Sequence, residues 1–181
     1  MSSNICVRVA GLRDMLYIPV IIQHIEQAAK DPCNGICKRK KSLIRKKILD
    51  GESIIACTES GEWAGFCYIQ AWENSNFVSS CALVVAEKFM SKGIAGMIKK
   101  NALDLAKEKY PAAKVFGLTT NFAVMKINTK LGYQPVTYSA ITSDEGFWDS
   151  CKTCSNFSIL MSKEKKNCLC TAMLFENGEN K

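Results

Sequence analysis

The segment at residues 82–100, ALVVAEKFMSKGIAGMIKK, has residue types and spacing that suit the binding of an anion. An apolar strand pattern runs to Val85, and after a short loop a helix pattern begins around Gly93. The first N–H groups of a helix have no partner within the helix and lie at its positive end. Gly93, Ala95 and Gly96 would let a phosphate approach the backbone closely, and Lys92 adds positive charge. Tight packing of the helix on the strand explains the same small residues equally well.

A second group of side chains that could bind a ligand or react consists of four of the ten cysteines, near the end of the sequence. Cys151 and Cys154 form a C-x-x-C motif, and Cys168 and Cys170 form a C-x-C motif. Four thiolates suit a tetrahedral zinc ion, provided that NFSILM and LCTAMLF form a hairpin that brings the pairs together. The alternatives are four thiols without a shared role, a redox-switched disulfide, or an iron–sulfur centre, which the spacing disfavours. A zinc ion held by four thiolates has no position open to substrate, so it would fasten the extension to the domain. A C-x-x-x-C motif at residues 33–37 either joins this group or is independent of it.

The composition excludes several classes of function. With 181 residues, 48% of them hydrophobic, the chain is expected to form one domain with an appendage. No apolar run approaches the roughly 20 residues that span a bilayer, so we expect no membrane partner and a cytoplasmic location. The net charge is +7, and seven of the 24 basic residues lie in KRKKSLIRKK, residues 38–47. This run is either a solvated helix face or a source of attraction for an anionic small molecule. Nucleic acid is not expected, because the sequence has no zinc-finger spacing near this run and no aromatic stacking motif.

The periodicity of the apolar residues predicts the elements that must position these groups. A short strand is followed by a helix with a kink at Pro19 and by a second helix over about residues 40–49. The period then changes to two in SIIACTE, EWAGFCYIQAW and NFVSSCALVVA, which predict three antiparallel strands. A long helix after Gly93 has Ile94, Met97, Ile98, Ala102 and Leu105 on its apolar face, with its lysines mostly elsewhere. The strand KVFGLTT, the helix FAVMKINTKL and the strand YQPVTYSAIT complete an α+β domain at residues 1–142, before an extension at residues 143–181.

Two stretches resemble the signatures of the GNAT superfamily of acyl-CoA-dependent N-acetyltransferases. VAEKFMSKGIA is similar to the family's acyl-CoA loop, roughly V-x-P-x-x-R-G-x-G-x-G/A, and NFAVMKINTKLGY is similar to its second signature. The order of the elements also matches, and the resemblance covers about residues 5–142. It implies a mixed, mainly antiparallel central sheet flanked by helices, to which the cysteine motifs add a C-terminal extension resembling a hairpin. Met90, Ser91 and Glu87 replace the family's common Arg or Gln, Gly and Pro.

The resemblance also implies roles for individual residues around acetyl-CoA. The strand backbone at Leu83 and Val85 would meet the pantetheine arm, and Asn121 would contact the cofactor from the exit of the next strand. The residues that would hold the pyrophosphate are Lys92, Gly93, Ala95 and Gly96.

The catalytic groups that the resemblance implies are incomplete in this sequence. Asn128 stands where many family members have a tyrosine that protonates the leaving CoA thiolate, and an asparagine amide can donate a hydrogen bond but no proton. The strand FVSSCALVV contains no carboxylate to act as a base. Cys81 lies in this strand, where the acyl group is expected, and is either a nucleophile or a small buried thiol. A nucleophilic role needs an activating base, and the single histidine, His24, is far away in the sequence.

The sequence therefore predicts an acyl-CoA-dependent N-acyltransferase, with acetyl as the acyl group and a small amine as the acceptor. The positive charge of residues 38–47 favours an acidic amino acid such as glutamate. The cysteine-bearing extension also resembles that of acyltransferases linked to arginine biosynthesis, with glutamate as acceptor. The alternatives are a protein N-acetyltransferase and a non-catalytic module that senses acyl-CoA or a metal. A homodimer is compatible with the sequence.

Overall fold

The computed structural model of the chain describes residues 4–176 and contains seven strands and six α-helices within that range. The strands are β1 (Ile5–Val9), β2 (Ser53–Thr58), β3 (Trp63–Trp72), β4 (Phe77–Val85), β5 (Lys114–Thr119), β6 (Gln134–Val136) and β7 (Thr171–Phe175). The α-helices are α1 (Ile18–Ala28), α2 (Lys41–Leu49), α3 (Ile94–Lys109), α4 (Phe122–Lys130), α5 (Glu145–Asp149) and α6 (Phe157–Ser162). Within residues 4–176, the structure contains no helix that is both long enough and apolar enough to cross a membrane.

The strands form one sheet in the order β1-β2-β3-β4-β5-β7-β6. All neighbouring pairs are antiparallel except β4 and β5, which are parallel. Strand β2 shows why these sequences form a sheet with two covered faces. Its Ile54 and Ala56 pack with α3, whereas Ile55 and Cys57 face the layer of α1 and α2. Because successive side chains of a strand point to opposite faces, burial of both faces gives a continuous apolar run. The predicted mixed, mainly antiparallel sheet flanked by helices is confirmed.

Two helices differ in detail from the prediction. Residues 12–17 form a 3₁₀ helix instead of the first turns of one kinked helix, and Pro19 lies in the first turn of α1, where its missing N–H is not needed. In α3 the predicted apolar face is buried except for Met97, which is 40% exposed. Lys99 is only 3% exposed, although it was expected on the solvent side with the other lysines of this helix.

The extension does not form the predicted hairpin. NFSILM contains α6, because Phe157 and Leu160 pack inward at helical spacing. A segment this short fits both periods, so its pattern could not separate a strand from a helix. LCTAMLF does contain a strand, β7, but its partners are β5 and β6 in the central sheet. The sheet therefore crosses the boundary that the sequence suggested at residue 142.

Aromatic side chains hold the extension to the sheet. Phe147 of α5 lies 5.0 Å from Phe116 of β5 and 5.5 Å from Trp72 of β3, measured between ring centroids. Trp148 stacks on Tyr138, with centroids 5.7 Å apart, and its indole N–H donates to the Thr142 carbonyl. These buried rings fix the cysteine-bearing turn that follows α5.

Candidate active site

A cavity of about 630 Å³ lies where β4 and β5 separate. In the described sheet, the pairing of these two strands extends only from Phe77 with Lys114 to Ser79 with Phe116. Strand β4 continues to Val85 and β5 to Thr119, and both continuations line the cavity. Its size is that of a typical small-molecule site.

A β-bulge turns the backbone of β4 towards this cavity. Ala82 has φ +53°, and Ala82 and Leu83 together lie opposite the single residue Cys67 of β3. Beyond the bulge, the Ala86 N–H donates to the Ala64 carbonyl at 2.9 Å. Because backbone groups alternate in direction along a strand, the N–H and C=O of Val85 point away from β3, towards the side where β5 has separated. Leu83 and Val85, the two strand residues predicted to meet a cofactor, both line the cavity.

The predicted anion loop ends at the exposed start of α3. Gly93 has φ +80° at the N-cap, a conformation that favours glycine, and the helix begins at Ile94. A Cβ atom at Gly93 or at Gly96 would meet no atom within 4 Å, so the space above these amides is open. Lys92 is exposed, with its ammonium 5.4 Å from the centre of the buried Phe89 ring. Lys92, Gly93, Ala95 and Gly96 thus come together at one helix end. This end follows the cavity-lining residues Glu87 and Met90 in the chain, but these four residues are not themselves part of the lining.

The two asparagines predicted from the second signature have different surroundings. Asn121 caps α4, because its side-chain oxygen accepts from the N–H groups of Ala123 at 2.9 Å and Val124 at 3.2 Å. Asn128 is 1% exposed and lines the cavity, and its amide donates to the Met173 sulfur at 3.6 Å. The side-chain oxygen of Asn128 is buried without a hydrogen-bond partner among the described residues. Such a group is costly to leave unmatched, which is typical of a position that meets a ligand.

Cys81 lines the cavity beside Ser79, with 3.1 Å between its sulfur and the Ser79 hydroxyl. The Ser79 hydroxyl in turn accepts from the Trp72 indole N–H at 2.8 Å. His24 also borders the cavity, but its Nδ1 is bonded to the Val20 carbonyl and its ring packs 4.6 Å from the Trp63 ring. Among residues 4–176 we find no hydrogen bond between an imidazole and the Cys81 sulfur. The histidine therefore does not serve Cys81 as a base in the described structure, and the nucleophilic role of Cys81 stays a prediction.

Lys99 is a site residue that the sequence did not reveal. Its ammonium donates to the Ser80 hydroxyl and lies 5.2 Å from the centre of the Tyr133 ring. Burial lowers the pKa of Lys99, and the nearby Cys67 and Cys81 thiols partly oppose this effect. A buried amine with a lowered pKa next to a cavity is suited to proton transfer. Lys99 is one of several lysines in this helix, and the others are exposed. Its neighbours in the sequence therefore gave no indication that it is buried beside the cavity.

Arg39 is the residue of the basic run that lines the cavity. Its Nε donates to the Tyr68 hydroxyl at 2.7 Å, and Tyr68 lies opposite Cys81 in the sheet. Elsewhere in the run, Lys46 pairs with Asp50 at 2.6 Å and buried Lys47 pairs with Glu52. The run is therefore mainly a solvated or paired helix, with one guanidinium held against the cavity.

The cysteine motifs meet at the same cavity. Cys151, Cys154, Cys168 and Cys170 all line it, together with Cys37 from the loop before α2. Every one of these thiols is free. Within the part of the chain that the structure describes, no group of three or more His, Cys, Asp or Glu side chains is arranged to hold a metal ion. The zinc site therefore stays a prediction.

The architecture, with a gap between parallel β4 and β5 and an open helix start beside it, defines the fold class of the GNAT acetyltransferases, and known structures agree. No protein-family model and no curated protein matches the sequence. The chain is similar to N-acetylglutamate synthase from Neisseria gonorrhoeae, solved with coenzyme A and N-acetyl-glutamate, with a TM-score of 0.68 and 14% identity. The match covers 99% of this chain but 36% of that one, so the chain spans about a third of that enzyme's length.

Two further structures match over most of both chains. A Mycobacterium tuberculosis protein solved in complex with CoA has a TM-score of 0.67 and 18% identity over 96% of this chain and 99% of that one. A GNAT superfamily phosphinothricin acetyltransferase from Sinorhizobium meliloti, in complex with AcCoA, has a TM-score of 0.63 and 12% identity over 99% and 90%. The chain therefore has the GNAT fold, as the resemblance implied.

Proposed function

We propose that the protein is an N-acetyltransferase that moves the acetyl group of acetyl-CoA to the amino group of a small molecule. The observation that carries this proposal is the cavity between β4 and β5, whose lining extends along the chain to Met90, shortly before the open N-terminus of α3. In this assignment the pyrophosphate lies on the amides at Gly93, Ala95 and Gly96, with Lys92 beside it. The pantetheine arm follows the exposed backbone of Leu83 and Val85 into the gap, and Asn121 lies beside the cofactor.

The acceptor in this proposal is an amino acid with a side-chain carboxylate, such as glutamate. Arg39 supports it, because a guanidinium at the cavity wall is suited to bind a carboxylate through two hydrogen bonds. Its Nε donates to the Tyr68 hydroxyl, one terminal nitrogen donates to the Lys38 carbonyl, and the guanidinium also lies near the Cys37 thiol, so a carboxylate would bind through the remaining N–H groups. The ligands of the N. gonorrhoeae enzyme include N-acetyl-glutamate, which agrees with this class of acceptor.

The reaction follows from the groups around the cavity. The acceptor nitrogen attacks the thioester carbonyl carbon, whose oxygen is polarised by the backbone N–H of Val85. As the C–N bond forms, the nitrogen loses a proton, and Lys99 is our candidate base because its side chain lines the cavity and burial lowers its pKa. The C–S bond then breaks, and the leaving thiolate accepts a hydrogen bond from Asn128 before it takes a proton from water. Cys81 shapes the wall beside the acetyl group in this scheme.

The proposal includes a cytoplasmic location, since unpaired cysteines suit a reducing compartment. A bound zinc ion and a homodimer stay predictions, which metal analysis of the purified protein and light scattering would test.

An acceptor screen with acetyl-CoA and with succinyl-CoA tests the function. We expect release of free CoA and formation of an N-acetyl product with glutamate, both followed by mass spectrometry. Glutamate dimethyl ester is the matched control, because it keeps the amine but lacks the carboxylates that Arg39 would bind. Turnover only with peptide amines would favour a protein acetyltransferase. Tight binding of acetyl-CoA without turnover on any amine would favour the sensing module and contradict the proposal.

A further inference from the structure

The side-chain nitrogen of Lys99 lies at the point where β4 and β5 separate. The last pair of these two strands joins Ser79 to Phe116. Ser80 and Gly117 are the next residues of the two strands, and both line the cavity. The Lys99 nitrogen donates to the Ser80 hydroxyl, and a Cβ atom at Gly117 would lie 4.0 Å from it. This nitrogen is therefore held between the two strands, at the closed end of the gap.

The surroundings of Lys99 favour a neutral amine. Among the residues of α3, Lys99 is the one that lines the cavity, yet it is only 3% exposed. Within residues 4–176 it forms no ion pair with a carboxylate. Burial without an opposite charge disfavours the ammonium form and lowers the pKa of this amine. A neutral amine has a free lone pair and can attack a carbonyl carbon, so the closed end of the gap holds a candidate nucleophile.

The proposed binding mode of acetyl-CoA, on which this inference rests, brings the thioester to the same place. The pyrophosphate lies at the start of α3, beyond the end of β4 at Val85. From there the pantetheine arm runs along β4 towards Ser80, because the gap is open at Val85 and closed at Ser80. The thioester is at the far end of this arm. It therefore arrives at the closed end of the gap, beside the Lys99 nitrogen.

We propose that Lys99 is a self-acetylation site, to which the protein transfers the acetyl group of its own bound acetyl-CoA when no acceptor is present. The lone pair of the Lys99 nitrogen attacks the thioester carbonyl carbon. A C–N bond forms, the C–S bond breaks, and the nitrogen loses one proton to the leaving CoA thiolate. The products are free CoA and Nε-acetyl-lysine at position 99, and the step needs no further reactant.

Acetylation of Lys99 would block the site in two ways. An amide nitrogen is not basic, so Lys99 would no longer take a proton from the acceptor. The added acetyl group would also occupy the closed end of the gap, where the next thioester has to lie. Because an acceptor amine competes with Lys99 for the same carbonyl carbon, the modification links activity to the supply of acceptor. Chains that bind acetyl-CoA while the acceptor is scarce become inactive.

Mass spectrometry of the full-length protein tests the proposal without a turnover assay. The protein is incubated with acetyl-CoA that carries an isotopically labelled acetyl group, without an acceptor, and labelled lysines are identified by peptide fragmentation. We expect one labelled acetyl group per chain, on Lys99, added at least about tenfold faster than on the exposed neighbour Lys100. Excess free CoA, which competes for the cofactor site, should slow the labelling of Lys99 but not that of Lys100. Equal rates at the two lysines would mean simple chemical acetylation and would refute the proposal.

Variants and the stability of the label identify the acetylated atom. Lys99→Arg should stay unlabelled in the cavity, and a melting-temperature shift with acetyl-CoA shows whether this variant is folded. Lys100→Arg is the matched control, because the exposed Lys100 pairs with Asp104 and its loss should leave the labelling of Lys99 unchanged. Hydroxylamine cleaves a thioester on cysteine but not an amide on lysine. A hydroxylamine-sensitive label on Cys81 would therefore overturn the assignment, and the wild-type result is decisive even where a variant fails to fold.

The outcomes also separate this inference from the proposed function. Turnover of glutamate by a protein whose Lys99 stays unlabelled without acceptor would support the function and overturn the inference. Labelled Lys99 without turnover on any amine would support the inference and contradict the function. Where both hold, added glutamate should reduce the labelling of Lys99, because the acceptor takes the acetyl group first.

Discussion

A charge placed at Gly93 should weaken acetyl-CoA binding by an amount that can be worked out from the start of α3. A Cβ atom there meets no other atom within 4 Å, so Gly93→Glu creates no clash in the free protein. The backbone at φ +80° adds roughly 1–2 kcal/mol of strain for any side chain. Gly93→Gln has the same strain and nearly the same size, and is therefore the matched control.

The difference between the two variants isolates the charge. A carboxylate about 4 Å from one phosphate charge is repelled by about 1 kcal/mol in water, and a pyrophosphate with two such charges gives about 2 kcal/mol. This weakens binding about 30-fold. At an acetyl-CoA concentration 100 times the wild-type Kd, the stabilisation by the ligand should fall from about 2.7 kcal/mol to about 0.9 kcal/mol. In a chain of this length the melting-temperature shift then falls from about 8 °C to about 3 °C.

Thermal unfolding at low ionic strength, with and without acetyl-CoA, measures this shift. Added salt should narrow the gap between the two variants, because screening acts on exposed charges. If Gly93→Glu and Gly93→Gln show the same shift at low salt, the pyrophosphate does not lie at this helix end and the cofactor assignment is wrong.

Three further predictions concern the acceptor, the buried amine and the extension. Arg39→Gln should raise the KM for glutamate about 10- to 100-fold, as expected for the loss of a charge-assisted hydrogen bond, and leave the KM for acetyl-CoA near the wild-type value. The control Lys40→Gln, at an exposed position, should leave both KM values near wild type. Equal effects of Arg39→Gln on both KM values would contradict a carboxylate site. Burial lowers the pKa of Lys99 in the folded protein below its ordinary value of 10.5, which applies to the unfolded chain. At a pH between the folded and unfolded pKa values, the unfolded chain binds more protons, so the free energy of unfolding of the wild type should rise with pH. Urea unfolding measured from pH 7 to pH 10 should show this rise in the wild type but not in Lys99→Met. The same dependence of unfolding free energy on pH in both proteins would contradict the prediction. Phe147→Ala should lower the free energy of unfolding by about 3–5 kcal/mol, because a buried ring is lost. The control Leu169→Ala, at a position that is 58% exposed, should lower it by less than about 0.5 kcal/mol. If the two variants have similar midpoints in denaturant, this ring does not hold the extension to the sheet.

The parts of the fold that the sequence predicted are those encoded locally. Gly93 and the helix after it were found because a cap and a 3.6-residue period need only neighbouring residues. The buried strands β2 and β3 were found for the same reason, since short apolar runs bounded by turn residues mark them. Met97 was wrongly expected to be buried. It lies at the edge of the apolar face of the helix, and whether such a residue is buried depends on the elements that pack beside it.

The parts that could not be predicted depend on contacts between distant segments. Nothing near Arg39 distinguishes it from Lys38 and Lys40, and only the position of Tyr68 across the cavity wall selects it. Cys37 and Cys151 line the same cavity for a similar reason, because the extension folds onto the sheet. The strand at residues 171–175 was visible as a strand, but its place between β5 and β6 is a property of the whole sheet.

The position of β7 also orders the assembly of the protein on the ribosome. Strand β7 lies between β5 and β6 and pairs with both of them, yet it is synthesised well after them. Until Phe175 has left the ribosome, β5 has a bare edge with unpaired N–H and C=O groups, which is the kind of edge that promotes aggregation. We therefore expect the first half of the sheet, β1 to β4, to become compact during synthesis. We expect the second half of the sheet to close only after β7 has been synthesised, and the same closure should bury the aromatic cluster and bring the cysteines to the cavity.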